Sequence, residues 1–392
     1  MAIFDGKELM FEESDWFIVN FLRMLWRYGF NALRMHMWVE RIMDKFMRIY
    51  QYQQFSYSFS SADRLLHAMS GDEFLALLNQ TLEEAMLAYG FSQTFINDIV
   101  TPISRVNYGQ SVRLHAFAGV VSLAGADSGL WAVDGGNKLV CSGLLYHSKA
   151  ELIAARVTNV ALKTRPSKSG TITNFYEVNY VSDSGPAHSL YDIVVLATPL
   201  HLGLSDIAFS GFSPSLPSHF PGRYHQTVST LVLGRLNVSH LDGRRKPSEF
   251  FISDIFTTDN EKLGISSVSS LDPVQITPGY SRPSASQTSV WKVFSPKSLT
   301  EEQLKTLFMS RERVVEKRWL AYPSYRAPER QPPPFILHHN LYYLSPIEWV
   351  ASAMEMSALS ARNIALLAYH RWHGHTAKVD QEGLHARLRG EL

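Results

Sequence analysis

The chain has 392 residues, of which 45% are hydrophobic, so it can fill the core of one large domain or of two smaller ones. Its 37 Lys and Arg residues nearly balance its 36 Asp and Glu residues, and in the absence of a dense basic block no nucleic acid partner is expected. The single cysteine, Cys141, excludes an internal disulfide and every cysteine-based metal or redox motif.

The N-terminal part of the chain is predicted to be helical. The apolar pattern of residues 15–52 indicates two helices that are broken near Gly29, with apolar residues on nearly all sides. We expect this belt to be buried in a larger protein, and the alternatives are the wall of a lipophilic pocket or a membrane-contacting surface. Further helices are expected over 61–103, with Ser61 as an N-cap. No apolar run reaches about 18 residues, so no membrane-spanning helix is predicted.

Glycine-punctuated strands are predicted from residue 109 onward. Gly135 and Gly136 precede a helical pattern, and two adjacent glycines allow the backbone to approach a ligand or another part of the chain. The segments RVTNVALKT and FYEVNYVS indicate a hairpin, and YDIVVLATPL, residues 191–200, indicates a short buried strand after it. Residues 201–334 are predicted to be mostly β, with a helix capped by Thr300 and a proline-rich stretch at the end.

The last predicted helix has two candidate starts. Ser345 with Glu348, and Ser352 with Glu355, each have the spacing of a capping box, and the helix is expected to end at Gly374. Small residues fill the first turns after the second start, which permits close approach of a ligand. The alternative is tight helix packing without any ligand. A helix N-terminus carries about half a positive charge, so it can receive an anionic group.

Other site chemistries are disfavoured. The sequence contains no Gly-x-Ser-x-Gly, His-Glu-x-x-His, P-loop or Cys-x-x-Cys motif. His370, His373 and His375 fall at the end of the last helix, where they complement the helix dipole. Because no carboxylate or cysteine completes a ligand set with them, no metal site is predicted. Asn79 and Asn237 begin Asn-x-Ser/Thr triplets and would be glycosylation acceptors in the secretory pathway.

Motifs that are weak alone occur in an order typical of one superfamily. GLWAVDGGNKLVCSGLL, VTNV, YDIVVLATPL, and a C-terminal LYYLSPIE followed by SAMEMSALSARNIALLAY resemble the flavin amine-oxidase-type oxidoreductases. Essentially the whole chain, including YGFNALRMHMWVERIMDKFMRIYQY, is similar to the prenylcysteine oxidase family, most of all to its oxidase-like members.

The resemblance implies a mixed α/β (α+β) fold, in which an incomplete FAD-binding Rossmann-like domain is interleaved with a helical and β substrate domain. The implied segments are a mainly helical substrate-binding region over 1–125, an FAD-domain segment over 126–200, a β-rich substrate domain with a proline-rich loop over 201–334, and a C-terminal FAD-domain strand and helix over 335–392.

The resemblance also implies which residues contact FAD. Val157 matches the family position beside the adenine, and Glu348 matches the acidic residue near the ribityl and pyrophosphate groups. The helix that opens at Ser352 matches the one aimed at the flavin N1–C2=O edge, which selects the second capping box. The implied cofactor-binding residues are Gly135, Gly136, Val157, Ala197, Thr198, Pro199, Glu348, Ser352, Ala353 and Met354.

The implied reaction is FAD-dependent oxidation of farnesyl- or geranylgeranyl-cysteine by oxygen to a prenyl aldehyde, cysteine and hydrogen peroxide. The substrate is thus a prenylated cysteine or a similar lipophilic small molecule. Because the flavin does the chemistry, no catalytic residue is predicted. The alternatives are a non-catalytic lipid-binding or interaction protein, and an oxidase of another apolar substrate such as an amine. The candidate substrate-wall residues are Trp26, Met35, Trp319, Tyr322 and Tyr325.

One feature of the family pattern has no match here. Family members begin with a signal peptide, a strand, a Gly-x-Gly-x-x-Gly turn and a helix, whereas this sequence begins with MAIFDGK, which resembles the start of a shortened isoform or fragment. That turn supplies donors for the pyrophosphate, so the implied domain lacks its phosphate-binding unit. Full-length family members are expected to be secreted or lysosomal glycoproteins. Without a signal peptide, the compartment of this chain stays open, with the cytoplasm and peripheral membrane contact included.

Overall fold

The computed structural model of the chain describes residues 1–14, 16–125, 131–166, 172–243, 245–329 and 332–384. Helices and strands are both abundant, and the predicted α/β fold class is confirmed. The strands are β1 (Ala2–Phe4), β2 (Leu9–Glu12), β3 (Ala155–Pro166), β4 (Ile172–Ser182), β5 (Gly185–Tyr191), β6 (Val194–Leu196), β7 (Ala208–Ser210), β8 (Tyr224–Leu236), β9 (Asp254–Thr257), β10 (Ser267–Leu271), β11 (Ser289–Ser295), β12 (Phe308–Pro323), β13 (Ile336–His338) and β14 (Leu341–Tyr343).

Most of the helices lie before β3, and the longest is the last. They are α1 (Phe17–Tyr28), α2 (Asn31–Phe46), α3 (Arg48–Gln54), α4 (Ala62–Ser70), α5 (Asp72–Asn79), α6 (Leu82–Ala88), α7 (Gln93–Phe95), α8 (Thr101–Tyr108), α9 (Ala116–Ala124), α10 (Lys138–Ser148), α11 (Val238–Leu241), α12 (Glu301–Leu307) and α13 (Met354–His373). A π-helical turn, Ile96–Val100, joins α7 to α8.

The chain forms two compact units, each assembled from three separate segments. Unit 1 consists of Met1–Arg41, Gln80–Ala150 and His225–Tyr322, and unit 2 consists of Ile42–Asn79, Glu151–Tyr224 and Pro323–Leu392. The chain therefore alternates between the units along its length. The predicted segment boundaries at 125, 200 and 334 remain a prediction.

Unit 1 is built on a seven-stranded sheet with the order β12-β8-β11-β10-β9-β1-β2. Alternate residues of β11 point into the core, where Trp291 and Val293 are buried, because successive side chains of a strand face opposite sides of the sheet. Phe4, Val232 and Phe250 belong to the same core. The hydrophobic side of this sheet therefore holds unit 1 together.

Helices α1 and α2 correct one sequence-based expectation. The predicted break is confirmed, since α1 ends at Tyr28 and Gly29 adopts a φ of 60° that favours glycine. The expected burial is wrong for much of the belt, because Ile18, Leu22 and Trp26 are exposed. Only one side of α1 packs on unit 1, and its apolar residues cover a wider arc than that side.

Unit 2 contains two sheets. The predicted hairpin is confirmed, because β3 and β4 pair antiparallel within a four-stranded sheet of order β5-β4-β3-β7. The second sheet has the order β13-β14-β6, and β14 runs parallel to β6, the strand predicted within YDIVVLATPL. The core of unit 2 contains Val160 from the four-stranded sheet, and Leu196, Leu341 and Tyr343 from the second sheet. Both sheets therefore pack around one hydrophobic cluster.

Three further helix boundaries lie where the sequence predicts them, and one does not. Ser61 caps α4 by accepting a hydrogen bond from the Arg64 N–H, and Thr300 caps α12 in a capping box. The predicted end of α13 at Gly374 is also confirmed. The predicted capping box of Ser352 and Glu355 is wrong. Helix α13 begins one residue later, with Ala353 as an N-cap that has no side-chain hydrogen bond, so neither box residue occupies the required position.

Candidate functional site

The parallel pair β6 and β14 defines the candidate site in unit 2. Tyr343 lies beside Leu196 in the register, so both strands end at the same edge of the sheet. The Leu344 N–H donates a hydrogen bond to the Leu196 carbonyl at 2.9 Å, which holds the two following segments together. Ligands of α/β proteins bind at the carboxyl ends of parallel strands. The segments after Leu196 and Tyr343 are therefore the place to look for a ligand site.

An apolar groove runs along β6. Its volume is about 440 Å³, and Val157 of β3 lines it together with Ala197 and Thr198, which follow β6 directly. The resemblance assigns these three residues to the cofactor site. Val157 comes from one part of the sequence and Ala197 and Thr198 from another, and the fold brings the two parts together. Pro199 is the next residue of the chain and is half-buried. The other groove residues are Val160, Val178, Tyr191, Ile193, Val194, Val195, Leu196 and Ile207.

Glu348 follows β14 in a 3₁₀ turn, Ser345–Trp349, and lies among aromatic side chains. The Tyr224 hydroxyl donates a hydrogen bond to Glu348 Oε2 at 2.7 Å, and the Tyr325 hydroxyl donates to the Glu348 carbonyl at 2.9 Å. The Tyr343 hydroxyl accepts a hydrogen bond from the Leu200 N–H at 2.9 Å. These bonds connect the segments that follow the two parallel strands.

Burial changes the protonation chemistry of this cluster. It raises the pKa of the Glu348 carboxyl, although the hydrogen bond from Tyr224 opposes this shift. Burial, together with the nearby Glu348 charge, raises the pKa of the Tyr224 hydroxyl, which therefore stays protonated and acts as a donor. A carboxyl with a raised pKa can hold or release a proton closer to neutral pH than an exposed glutamate can.

His201 and Trp349 extend the cluster. The indole N–H of Trp349 donates to His201 Nε2 at 3.2 Å, and their ring centroids lie 5.0 Å apart. Burial lowers the pKa of His201 to about 4, so the imidazole is neutral at neutral pH and can accept this bond. Gly222, with a φ of 116°, lies so close to the Trp349 ring that any added Cβ would collide with it. The cluster is consequently rigid and tightly packed.

A larger cavity lies beside Trp349. Its volume is about 740 Å³, within the range of small-molecule sites, and Arg223, Arg326 and Glu329 place charges on its wall. The rest of the wall consists of Pro221, Gly222, Ser324, Ala327, Pro328, Pro332, Pro333 and Trp349. Unit 2 therefore offers an apolar groove along β6 and a charged cavity next to the Glu348 cluster.

The start of α13 belongs to the same unit. Ser352 and Ala353 are half-buried and Met354 is exposed at the first turn. The N-cap, Ala353, provides no side-chain hydrogen bond to the first turn of α13. The N–H groups of that turn and the positive end of the helix dipole lie at this end of the helix. Such an end can stabilise a partial negative charge on a ligand.

The remaining predicted residues divide between the units. Tyr325 lies in unit 2, in contact with Glu348, whereas Gly135, Gly136, Trp26, Met35, Trp319 and Tyr322 lie in unit 1. Gly135 and Gly136 have φ values of 84° and 102° and form the turn before α10, where the Gly135 N–H donates to the Val274 carbonyl at 3.3 Å.

The aromatic candidates of unit 1 differ in their surroundings. Tyr322 stacks on His225 with an interplanar angle of 7°, and its hydroxyl accepts a hydrogen bond from Thr227 at 3.2 Å. Trp319 and Trp26 are exposed, and Met35 is half-buried. Their assignment to a substrate wall stays a prediction.

Sequence reasoning missed His201, Gly222, Tyr224 and Trp349. These residues come from three separate segments and surround Glu348 only in the folded chain. Trp349 directly follows Glu348 but no motif marks it, and the other three residues have no motif spacing to Glu348, so a single sequence carried no signal for them.

Three further features concern metals, glycans and membranes. Within the described ranges, no group of three His, Cys, Asp or Glu residues could hold a metal ion. The amide group of Asn237 donates to the Thr306 carbonyl at 2.9 Å, while Asn79 is exposed at the end of α5; their glycosylation stays a prediction. None of the helices described is both long and apolar enough to cross a lipid bilayer.

The chain is similar to known proteins over its full length. A family model described as prenylcysteine lyase matches residues 11–381. Prenylcysteine oxidase 1 of Homo sapiens is 50% identical over 392 residues, which cover 100% of this chain and 77% of the human protein. The Bos taurus prenylcysteine oxidase 1 is 47% identical over 392 residues, covering 100% of this chain and 76% of the bovine protein.

A second group of relatives is somewhat less similar to this chain. Prenylcysteine oxidase 1-like of Mus musculus is 43% identical over 394 residues, which cover 100% of this chain and 78% of the mouse protein. Both groups therefore match the two units, including the β6–β14 edge and the segment of Glu348. With a family model that spans nearly all of its residues, the chain belongs to the prenylcysteine lyase family.

Proposed function

We propose that this protein is an FAD-dependent oxidoreductase of the prenylcysteine oxidase type, acting on a farnesyl- or geranylgeranyl-cysteine. Family membership supports the reaction class. The observation that carries the cofactor assignment is the apolar groove along β6, where Val157, Ala197 and Thr198 meet. Val157 is distant in the sequence from the adjacent Ala197 and Thr198, and the resemblance to flavin-dependent enzymes implies that both segments contact the cofactor.

The residues present fit part of FAD. The groove, with a volume of about 440 Å³ and apolar walls, suits a planar aromatic ring. Glu348 suits a hydroxyl or ring group that exchanges hydrogen bonds with a carboxyl, and the start of α13 suits the polar edge of the flavin. The pyrophosphate needs other donors, because Gly-x-Gly-x-x-Gly occurs nowhere in these 392 residues.

The protein's own groups would bind and orient rather than act as strong acids or bases. Tyr224 holds the Glu348 carboxyl in one position through its 2.7 Å hydrogen bond, and Tyr325 fixes the backbone of the same residue. The Ser352–Met354 segment would stabilise negative charge through the helix dipole. When bound, FAD supplies the acceptor for the hydride that leaves the thioether carbon.

The proposed net reaction converts the thioether, oxygen and water into cysteine, a prenyl aldehyde and hydrogen peroxide. Two electrons leave the carbon next to sulfur and reduce oxygen, while water supplies the aldehyde oxygen and the thiol proton. The lipophilic chain would require a dry wall, for which Trp26, Met35, Trp319, Tyr322 and Tyr325 are the candidates. We further propose that family members of this type act as secreted or lysosomal glycoproteins, with Asn79 and Asn237 as acceptors.

A second candidate function is lipid binding without redox chemistry. The apolar groove along β6 favours it, because its walls would also suit an acyl or prenyl chain. A third, an amine oxidase, uses the same cofactor and differs in its products. Incubation with prenylcysteine and with hydrophobic amines, followed by analysis of the aldehydes, separates the first function from the third.

Flavin binding is the deciding test. The purified chain is titrated with FAD, and binding is followed by the change in flavin fluorescence and by visible absorption. Ala197→Trp should weaken binding at least tenfold, because the exposed Ala197 lies in the groove and an indole would fill it. Val181→Trp is the control, because Val181 is exposed on β4 outside the groove.

The outcomes separate the two main functions. Binding that Ala197→Trp alone weakens supports the FAD assignment for the chain as it stands. If binding occurs only after a strand–glycine turn–helix unit of a relative is joined to the chain, the groove is the cofactor site but needs that unit for affinity. A chain that binds FAD in neither form, or whose affinity for FAD is unchanged by Ala197→Trp, contradicts the proposal and favours a lipid-binding protein.

A further inference from the structure

An apolar stripe on unit 1 faces away from the protein. Its members recur every three or four residues along α1 and α2, and their exposed fractions range from 50% at Leu33 to 90% at Trp26. We call it the outer stripe; it consists of Ile18, Leu22, Trp26, Phe30, Leu33 and Met37. Large exposed apolar surfaces are uncommon on monomeric proteins and often mark interaction sites, so six exposed apolar side chains within twenty residues require an explanation.

The fold of unit 1 does not use the outer stripe. Helix α1 is held from its opposite side, where the buried Tyr28 hydroxyl donates to Asp98 at 3.1 Å and the Arg27 guanidinium pairs with the same carboxylate at 3.1 Å. Helix α2 is held by Trp38, whose ring lies 5.7 Å from that of Tyr89. These contacts hold each helix with one side against unit 1 and with the outer stripe toward solvent. The outer stripe is therefore not part of the core.

The stripe segment itself carries cationic but no acidic side chains. Between Trp16 and Val39 there is no Asp or Glu, whereas Arg23, Arg27 and Arg34 lie within this segment. Arg23 and Arg27 donate to the carbonyls of Glu12 and Met10, and Arg34 donates to that of Gly90, so their stems lie against unit 1 at the border of the apolar surface. Arg27 is compensated by Asp98, so the segment combines an apolar centre with a border to which Arg23 and Arg34 contribute positive charge.

This combination fits an anionic lipid surface. Apolar and tryptophan side chains enter the acyl and headgroup boundary, while arginine side chains remain at the level of the phosphates. A second copy of the chain is a poorer occupant, because it would bring Arg23 and Arg34 of one copy close to the same arginines of the other. Neither α1 nor α2 is long and apolar enough to span a bilayer, so these helices would lie on it.

We propose that residues 16–37 form an interfacial anchor that inserts the outer stripe into an anionic membrane surface. This inference concerns unit 1 and requires neither FAD nor turnover, so it does not rest on the proposed function, although it gives Trp26 a different role. It also assigns Trp26 to lipid contact rather than to a substrate wall. The anchor would deliver the protein to the surface in which lipophilic molecules are dissolved.

The test is sedimentation of the whole chain with lipid vesicles. One set of vesicles contains phosphatidylcholine and phosphatidylserine, and the other contains phosphatidylcholine alone. The variant Leu22→Glu/Trp26→Glu should reduce the partition coefficient on the anionic vesicles at least tenfold. Both side chains are mainly exposed, so circular dichroism and the melting temperature should remain those of the unchanged protein.

The matched control replaces the same residue types elsewhere in unit 1. Leu144 and Trp131 are 66% and 73% exposed, and Leu144→Glu/Trp131→Glu should change binding less than twofold. Added salt should also weaken binding to the anionic vesicles. Three results would each overturn the proposal: no binding of the unchanged chain, equal loss in both double variants, or a dimer that only the stripe variant dissociates in analytical ultracentrifugation.

Discussion

At Glu348, burial and hydrogen bonding act in opposite directions on one proton. Desolvation raises the pKa of the carboxyl above its ordinary value of 4.5, and the Tyr224 hydroxyl bond lowers it again. Because desolvation is the larger effect, the folded protein holds this proton more tightly than the unfolded chain does. The charge of Glu348 therefore reduces the free energy of unfolding at neutral pH.

The pH dependence of stability should reveal this effect. As the pH rises from about 4.5 through the higher folded pKa, the unfolded chain releases the proton first, so the contribution of Glu348 to stability falls. Glu348→Gln removes this dependence and should become steadily more stable relative to the unchanged protein over that range. Urea unfolding at several pH values measures the difference.

Tyr224→Phe is the companion variant. It removes the hydrogen bond that favours the charged form, so the pKa of Glu348 should rise further, and the loss of stability should begin at the same pH but extend to higher pH. A difference between the unchanged protein and Glu348→Gln that does not vary with pH would contradict this account of the carboxyl.

Gly222 permits the close packing of Trp349. Gly222→Ala would place a methyl group against the buried indole, and overpacking of this kind costs about 1–3 kcal/mol. Gly185→Ala is a matched control, because Gly185 has a similar φ of 108° but open space around it. The free energy of unfolding, measured in urea, should therefore fall by about 1–3 kcal/mol more for Gly222→Ala. Equal losses would mean that only backbone strain matters at both positions.

At the scale of the element, β6 is an edge strand of the candidate site. Among the described strands it pairs with β14 on one side and with no strand on the other. Its residues are apolar, and Val195 is 44% exposed. An unpaired apolar edge favours association with other strands.

Val195→Lys should therefore reduce self-association of the chain at high concentration. A charge at this position opposes edge-to-edge pairing, and the side chain is exposed enough to accept it without unfolding. Val181→Lys serves as the control, because Val181 is similarly exposed, at 47%, but lies on β4, which is paired on both sides. Light scattering should show less association for Val195→Lys alone; equal behaviour of both variants would exclude the edge as the cause.

Local signals were the part of the structure that the sequence predicted well. Gly29, Ser61, Thr300 and Gly374 mark helix ends because each acts on its own turn, through a cap or a positive φ. The start of α13 was displaced by one residue, because two capping patterns competed and the helix takes Ala353 as its N-cap instead. A capping pattern indicates where a helix can begin, whereas packing in the folded chain determines which candidate residue becomes the N-cap.

The orientation of a helix was harder to predict. Residues 16–37 are apolar on two sides, and only the contacts of Tyr28 and Trp38 with unit 1 determine which side is buried. The candidate site shows the same limit: the resemblance identified Val157, Ala197, Thr198 and Glu348, whereas His201, Tyr224 and Trp349 became apparent only from their contacts. Long-range contacts have no fixed spacing in the sequence.

At the scale of the whole molecule, the alternation of the chain between the units controls how it can be cut. Residues 150–154 are exposed and irregular, and a specific protease site inserted at Ala150 should be cleaved readily. Each unit contains pieces from both sides of the cut. In unit 1, β1 pairs with β9, and in unit 2 the Asn363 side chain forms two hydrogen bonds with the backbone of Phe59.

The two fragments should therefore remain together after cleavage. They are expected to co-elute from a size-exclusion column in native buffer and to separate only in denaturant, because unfolding both units is required to release them. Uncleaved protein in the same buffer gives the reference elution volume. Separate elution of the fragments without denaturant would show that neither unit needs segments from both sides of the cut to stay assembled.

The same alternation has a consequence for synthesis on the ribosome. Unit 1 cannot close until its last segment, ending at Tyr322, has been made, and unit 2 must wait for α13 near the end of the chain. At about 5–20 residues per second, roughly 10–40 s separate the synthesis of Arg41 from that of the segment after Tyr224. During that interval β1 is present without its parallel neighbour β9, although β2 and Asp98, the partner of Tyr28 in α1, are made earlier than β9. The nascent chain should therefore depend on chaperones during translation, and both units should reach their final form only late in synthesis or after release.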